Sequence, residues 1–239
     1  MTTTITFGSA QRKAAIIAGV SLIIMTLAAM FSYGYVHSSL IVEGDAGATF
    51  ENLQASLPLF HFGILGWMVI ILTDIVVSWA FYIVLKPVHA GYSLLVGWLR
   101  ILYTAILATA VAQLVIASKT IQAPETSASQ VMQSVIGFEA IWSIGLIVFG
   151  VHLMLAGYVA IKSITIPKVI SILLMVAGGC YALIHSMYNF FPSIENLTGT
   201  LESILSLPMM AGESGFGIWL LFKGIKAKTV TRRSLKGAS

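Results

Sequence analysis

Apolar residues run in six long blocks, at roughly 14–36, 57–85, 92–117, 131–161, 166–190 and 204–222, separated by short stretches that gather the charged and turn-forming side chains. Each block approaches or exceeds the ~20 residues an α-helix needs to cross a bilayer. The pattern therefore predicts an all-α, polytopic transmembrane bundle of about six spans. The blocks at 57–85 and 131–161 exceed the hydrocarbon thickness, which predicts tilt or protrusion. Ser127 with Gln130 forms a capping box ahead of the fourth span, and Pro167 occupies a tolerated first-turn position before the fifth. Gly44 and Gly47 break the first connection, and Pro124 and Pro192 punctuate later ones. Pro208 falls near the start of the sixth block, where a proline does least damage, and there is no internal repeat.

Composition narrows the class further. The 239 residues are 58% hydrophobic and 9% charged, with a mean hydropathy of +0.94, against about 25% charged residues in soluble domains. A soluble fold could not hide that apolar surface, so the bilayer is the natural solvent. We read one six-helix domain over 14–222, between a short N-terminal segment (1–13) and a basic tail (223–239). Arg12 and Lys13 before the first block give it a signal-peptide layout, but the block is long enough to span and lacks a convincing cleavage site, so we read it as retained. Cys180 has no second cysteine to pair with, which excludes an intrachain disulfide and a cysteine-based metal cluster.

Charge sets the orientation. With the N-terminus inside, Arg12, Lys13, Lys86, Lys162, Lys168, Lys223, Lys226, Lys228, Arg232, Arg233 and Lys236 fall on the cytoplasmic side, Lys119 falls outside and Arg100 lies within a span. Glu43, Asp45, Glu51, Glu125, Glu195 and Glu202 fall outside, which leaves both termini cytoplasmic. The pI of about 9.2 reflects this asymmetry rather than a mixed basic surface, so nucleic acid is excluded as a partner. The basic tail is suited to anionic lipid headgroups, although the positive-inside rule accounts for it equally well. Asn196 begins a glycosylation triplet that has meaning only in a host with that pathway. No protein partner is indicated.

The candidate chemistry lies within the spans. Asp74 lies about 11 residues, and Arg100, His152 and Glu213 about 9 residues each, from the cytoplasmic ends of four different spans, which places all four ~13–17 Å deep. An ionisable side chain at such depth costs ~2.5–3.5 kcal/mol on insertion scales, so it calls for a partner, a watery cavity or a function. The shared depth predicts one midplane cluster, with an Asp74–Arg100 ion pair completed by His152 and Glu213. Ser78 and Tyr82 extend the polar face from Asp74, as Tyr103 and Thr104 do beside Arg100. The competing reading is structural: ion pairs that only fix helix order. A second, weaker set lies toward the outer face, formed by His61, Glu139 and His185. Partial hydration explains it better than metal or haem ligation, and no metal site is assigned. Trp67, Trp98 and Trp142 are read as packing rather than ligand-stacking groups, and Met209 and Met210 as fillers.

No nucleophile elbow, phosphate loop or zinc-protease motif is present, and nothing points to a particular cofactor. Several runs nevertheless form a recognisable set: Ser39 through Ala46, Leu72-Thr-Asp74 with Tyr82 and Leu85-Lys-Pro-Val88, Trp98-Leu-Arg100, Phe149-Gly-Val-His152 with Gly157-Tyr158, Ile166-Pro-Lys168, and Gly212-Glu213 through Trp219 to Gly224. In these the chain resembles the prokaryotic membrane family catalogued as domain of unknown function 4386. The resemblance spans most of the chain and implies a multi-pass protein of the bacterial or archaeal cell (inner) membrane, with no catalytic residues to carry over. The leading expectation is a midplane site that binds a polar or ionic ligand or relays a proton, for transport or sensing. In it Arg100 holds an anionic group or fixes Asp74, and Glu213 and His152 carry exchangeable protons. The alternatives are an intramembrane enzyme acting on a lipid or isoprenoid, and a structural or assembly protein.

Overall fold

The computed structural model describes residues 7–236, with side chains described as far as Lys226. The described residues are mostly helical and contain no strand, with six helices long and apolar enough to span a membrane. Helix α1 covers Ser9–Ala29 and continues through a wider π-helical stretch, Met30–His37, to Leu40. A short helix α2 (Ala46–Ala55) follows, then α3 (Leu57–Leu85), α4 (Ala90–Thr120), α5 (Ala128–Ala160), α6 (Lys168–Phe190) and α7 (Glu195–Lys236).

Local chemistry sets most of these boundaries. Ser127 Oγ accepts from the Gln130 backbone N–H while Gln130 Oε1 accepts from the Ser127 N–H, the reciprocal box predicted for the start of α5. Asp45 Oδ1 accepts from the Ala48 N–H at 2.9 Å to start α2, and His89 Nδ1 accepts from the Tyr92 N–H at 3.1 Å to start α4. Gly44, at φ +75°, makes the left-handed turn that reverses the chain before α2. Asn52 Nδ2 then donates to the Leu40 carbonyl, covering an orphan acceptor at the end of α1.

The spanning helices close a ring in chain order. Helix α1 packs on α3, then α3 on α4, α4 on α5, α5 on α6 and α6 on α7, and α7 returns to α1. Neighbours are antiparallel throughout, so one end of the ring gathers Arg12, Lys13, Lys86, Lys162, Lys168, Lys223 and Lys226, and the other Glu43, Asp45, Glu51, Glu125 and Glu195. Side chains on the outer wall, Phe62, Leu72, Trp79 and Trp98 among them, are exposed, as expected of a surface solvated by lipid tails. Arg100, Phe81, Phe138, Phe216, Leu107 and Leu153 fill the interior and are fully buried.

Small residues bring the helices together where apolar solvent supplies no drive for association. At the α5–α6 seam, a Cβ built on Gly150 would sit 2.5 Å from the Gly178 carbonyl oxygen, and one on Gly178 2.5 Å from the Gly150 oxygen. Gly178→Ala is therefore expected to force α5 and α6 apart and to destabilise the fold by about 1–3 kcal/mol. A thermal unfolding scan of the detergent-purified variant would show this as a lowered midpoint. An unchanged midpoint would mean that the seam yields without cost.

Two boundaries differ from those read off the hydropathy. Helix α7 begins at Glu195 instead of near 204, so Pro208 lies inside a helix rather than at its start. It deprives the Ile204 carbonyl of its helical donor about a turn and a half before Glu213. Helix α1 also runs past Val36 to Leu40, carrying His37 with it. The basic residues from Lys228 onward, on which the anionic-lipid expectation partly rests, lie outside the described side chains.

Candidate functional site

Arg100 on α4 points into the middle of the ring and is fully buried. Its Nε and one terminal nitrogen donate to Asp74 Oδ1 on α3 at 2.8 and 2.5 Å. That same terminal nitrogen also approaches the sulfur of Met25 on α1 at 3.8 Å. The other terminal nitrogen donates to His152 Nε2 on α5 at 3.2 Å and to Glu213 Oε1 on α7. The four residues singled out by depth are thus brought together around one guanidinium. A guanidinium has five N–H hydrogens, and the five contacts use all of them.

His152 is held by both nitrogens. Its Nδ1 lies 2.9 Å from the Val96 carbonyl oxygen, which can only accept, so Nδ1 carries the hydrogen and Nε2 is left to accept from Arg100. That is the neutral imidazole. Phe81 and Phe149 lie against the guanidinium at 5.4 and 5.6 Å from ring centroid to Cζ, and both also stack on His152. These faces favour a cation and exclude water from it.

The neighbouring polar groups close in on themselves. Ser78 donates to the Gly97 carbonyl at 2.8 Å, tying α3 to α4, and Thr104 donates back to the Arg100 carbonyl at 2.8 Å. The Tyr103 hydroxyl accepts from the Trp142 indole N–H at 3.4 Å. Two openings remain in the cluster. Asp74 Oδ2 is buried with no hydrogen-bond partner among the described residues, and the Glu213 side chain is 13% exposed where those of Arg100 and Asp74 are 0% and 1%. Ser214, the residue after Glu213, lines a cleft of about 120 Å³ between α1 and α7, together with Leu22, Thr26, Gly217 and the exposed Ile23 and Ile218.

The outer set of His61, Glu139 and His185 does not assemble. His61 Nε2 is 2.6 Å from Ser118 Oγ, and His185 Nδ1 is 3.0 Å from Ser143 Oγ, which also accepts from Asn189. Glu139 instead meets His37 Nε2 at 3.0 Å. His37 escaped the sequence reading because it stands one residue past the assigned end of the first apolar block. Trp67 and Trp142 pack on each other and on Phe138 and Tyr33, whereas Trp98 faces outward. Among the described residues no group of three or more His, Cys, Asp or Glu side chains is arranged to hold a metal ion.

Residues 17–224 match the family model described as domain of unknown function, DUF4386. The chain belongs to this family. The match takes in all six spanning helices in whole or part and every member of the Arg100 cluster. An uncharacterized protein of Archaeoglobus fulgidus is 28% identical over 180 residues, covering 71% of this chain and 88% of the archaeal protein. No solved structure matches. Family membership and the six apolar helices together make this a multi-pass integral membrane protein.

Proposed function

We propose that the Arg100 cluster binds one exchangeable proton, as the coupling site of a proton-linked transporter or the detector of a proton sensor. The observation that carries this reading is the saturation of Arg100. With every N–H engaged by the protein, no donor is spare for an anionic ligand, which would have to displace one of these acceptors. The spare capacity lies on carboxylate oxygens, foremost Asp74 Oδ2.

Charge balance points the same way. One guanidinium faces two carboxylates and a neutral histidine, leaving a net charge of −1 if both acids are ionised. A net charge enclosed by aromatic rings in a membrane interior is heavily penalised, and one proton shared between Asp74 and Glu213 removes it. His152, committed as an acceptor, then serves to orient Arg100, and the proton falls to the acids. The same reading puts the protein in the prokaryotic cell membrane with its basic end cytoplasmic, supported by the Lys and Arg asymmetry. That end then faces anionic headgroups through Arg12, Lys13, Lys86, Lys162, Lys168, Lys223 and Lys226.

Infrared spectroscopy of the protein in lipid nanodiscs tests this. The wild type is expected to show the carbonyl band of a protonated carboxylic acid at neutral pH. Asp74→Asn and Glu213→Gln should each abolish it, because a single remaining carboxylate pairs with Arg100 as the anion. Absence of the band from the wild type would overturn the proposal. A second reading, in which the cluster only locks the helices, draws on the same saturated guanidinium and would then lead.

A further inference from the structure

Ser32 sits in the π-helical stretch of α1 and is 2% exposed, and its hydroxyl has no hydrogen-bond partner among the described residues. Other hydroxyls within the spans donate back to their own helix: Thr26 to Leu22, Thr73 to Val69 and Thr104 to Arg100. Ser32, inside the π-helical stretch, makes no such bond. Its Oγ is directed at Gly66 on α3, where a side chain would collide with it.

Ser32 lines a pocket of about 10 Å³ walled by Val36, His37, Phe60, Gly63 and Trp67. That is close to the ~10–15 Å³ needed to hold one water molecule, and a buried water requires polar partners of the kind an orphan hydroxyl provides. His37 contributes a second. Its Nε2 is engaged by Glu139, and its ring stacks on Tyr33 at 5.0 Å, while no group among the described residues takes up Nδ1. The Glu139 side chain is 48% exposed. It stands about 21 residues, hence ~32 Å, from the basic end of α5, at the outer boundary of a hydrocarbon layer ~30 Å thick.

We propose that this pocket is a hydration site for one water, bonded to Ser32 Oγ and reaching His37, and that Glu139, His37 and the water form a port through which protons enter the ring from its acidic end. The port lies about 10 Å outward of the Arg100 cluster along α1. The Tyr103 hydroxyl, three residues further outward than Arg100 on α4, is bonded to Trp142, which packs on Trp67 of the pocket wall. The hydration site stands on the pocket and the orphan hydroxyl alone, whereas its role as a port rests on the proton-binding reading of the cluster.

Two measurements on the full-length protein separate these layers. A crystal structure from a lipid mesophase, at a resolution that shows ordered solvent, should place one water within hydrogen-bond distance of Ser32 Oγ. It should be absent in Ser32→Ala. An empty wild-type pocket would overturn the proposal whatever the cluster does. The second measurement is the rate at which the infrared band of the buried carboxylic acid shifts after transfer into D2O. Ser32→Ala and Glu139→Gln, the latter at a half-exposed position that should not disturb folding, are each expected to slow that exchange several-fold while leaving the band's intensity intact. An unchanged rate with the water in place would overturn the port. Loss of the band from the wild type would instead refute the cluster reading and the port with it, leaving the hydration site to be judged on the crystal density.

Discussion

Arg100→Met should leave little or no folded protein in detergent extracts, the largest effect of any single substitution considered for this chain. Methionine keeps much of the side-chain volume between Phe81 and Phe149 but strips Asp74, Glu213 and His152 of their common donor. Removing one partner of a buried ion pair typically costs about 3–5 kcal/mol, because the remaining charge is stranded. Against a total stability of about 5–15 kcal/mol, that is enough to shift the population decisively. Size-exclusion profiles and thermal unfolding would report it. The decisive comparison is the triple variant that adds Asp74→Asn and Glu213→Gln. With no charge left in the ring, it should recover a monodisperse peak and most of the lost midpoint. A triple variant no better than the single one would mean that Arg100 matters through shape rather than charge.

The second expectation concerns the two acids together. Asp74→Asn or Glu213→Gln alone imitates the state in which one carboxylate is neutral, so each should cost no more than about 1 kcal/mol. The double variant leaves Arg100 as an uncompensated buried cation and should lose about 3–5 kcal/mol. The excess of the double over the sum of the singles is the signature of one shared proton, since independent residues would add. Unfolding midpoints of the four proteins in one detergent provide the cycle. Additive losses would place the two carboxylates in separate roles and remove the basis for a shared site.

The spans and the membership of the cluster were legible because both follow from one-dimensional quantities. Apolar length sets where a helix can cross, and a rise of 1.5 Å per residue turns sequence distance into depth. Depth alone placed Asp74, Arg100, His152 and Glu213 on one level, and the structure brings them into contact. Azimuth was not legible. His61, Glu139 and His185 all lie toward the outer face, yet they face different neighbours. Hydropathy also marks where lipid ends, not where a helix ends. The polar run containing Glu195, Asn196, Thr198, Thr200 and Glu202 therefore hid the first turns of α7 and left Pro208 looking terminal. His37 was lost for the same reason, just beyond the last apolar residue of its block. The π-helical stretch that holds the unpaired Ser32 hydroxyl carries no residue signature that a count of apolar positions would reveal.

The closure of the ring in chain order bears on how such a sequence enters a bilayer at all. Asp74 and Arg100 belong to α3 and α4, joined by a tight connection at Lys86–His89, so the two charges leave the insertion machinery as halves of one hairpin and can neutralise each other on the way in. His152 arrives next on α5, already suited to accept from the guanidinium. Glu213 comes last, on α7, the helix that seals the ring against α1. Until that helix docks, the guanidinium has a donor to spare, so the half-made protein is one that quality-control proteases of the membrane could tell from the finished one.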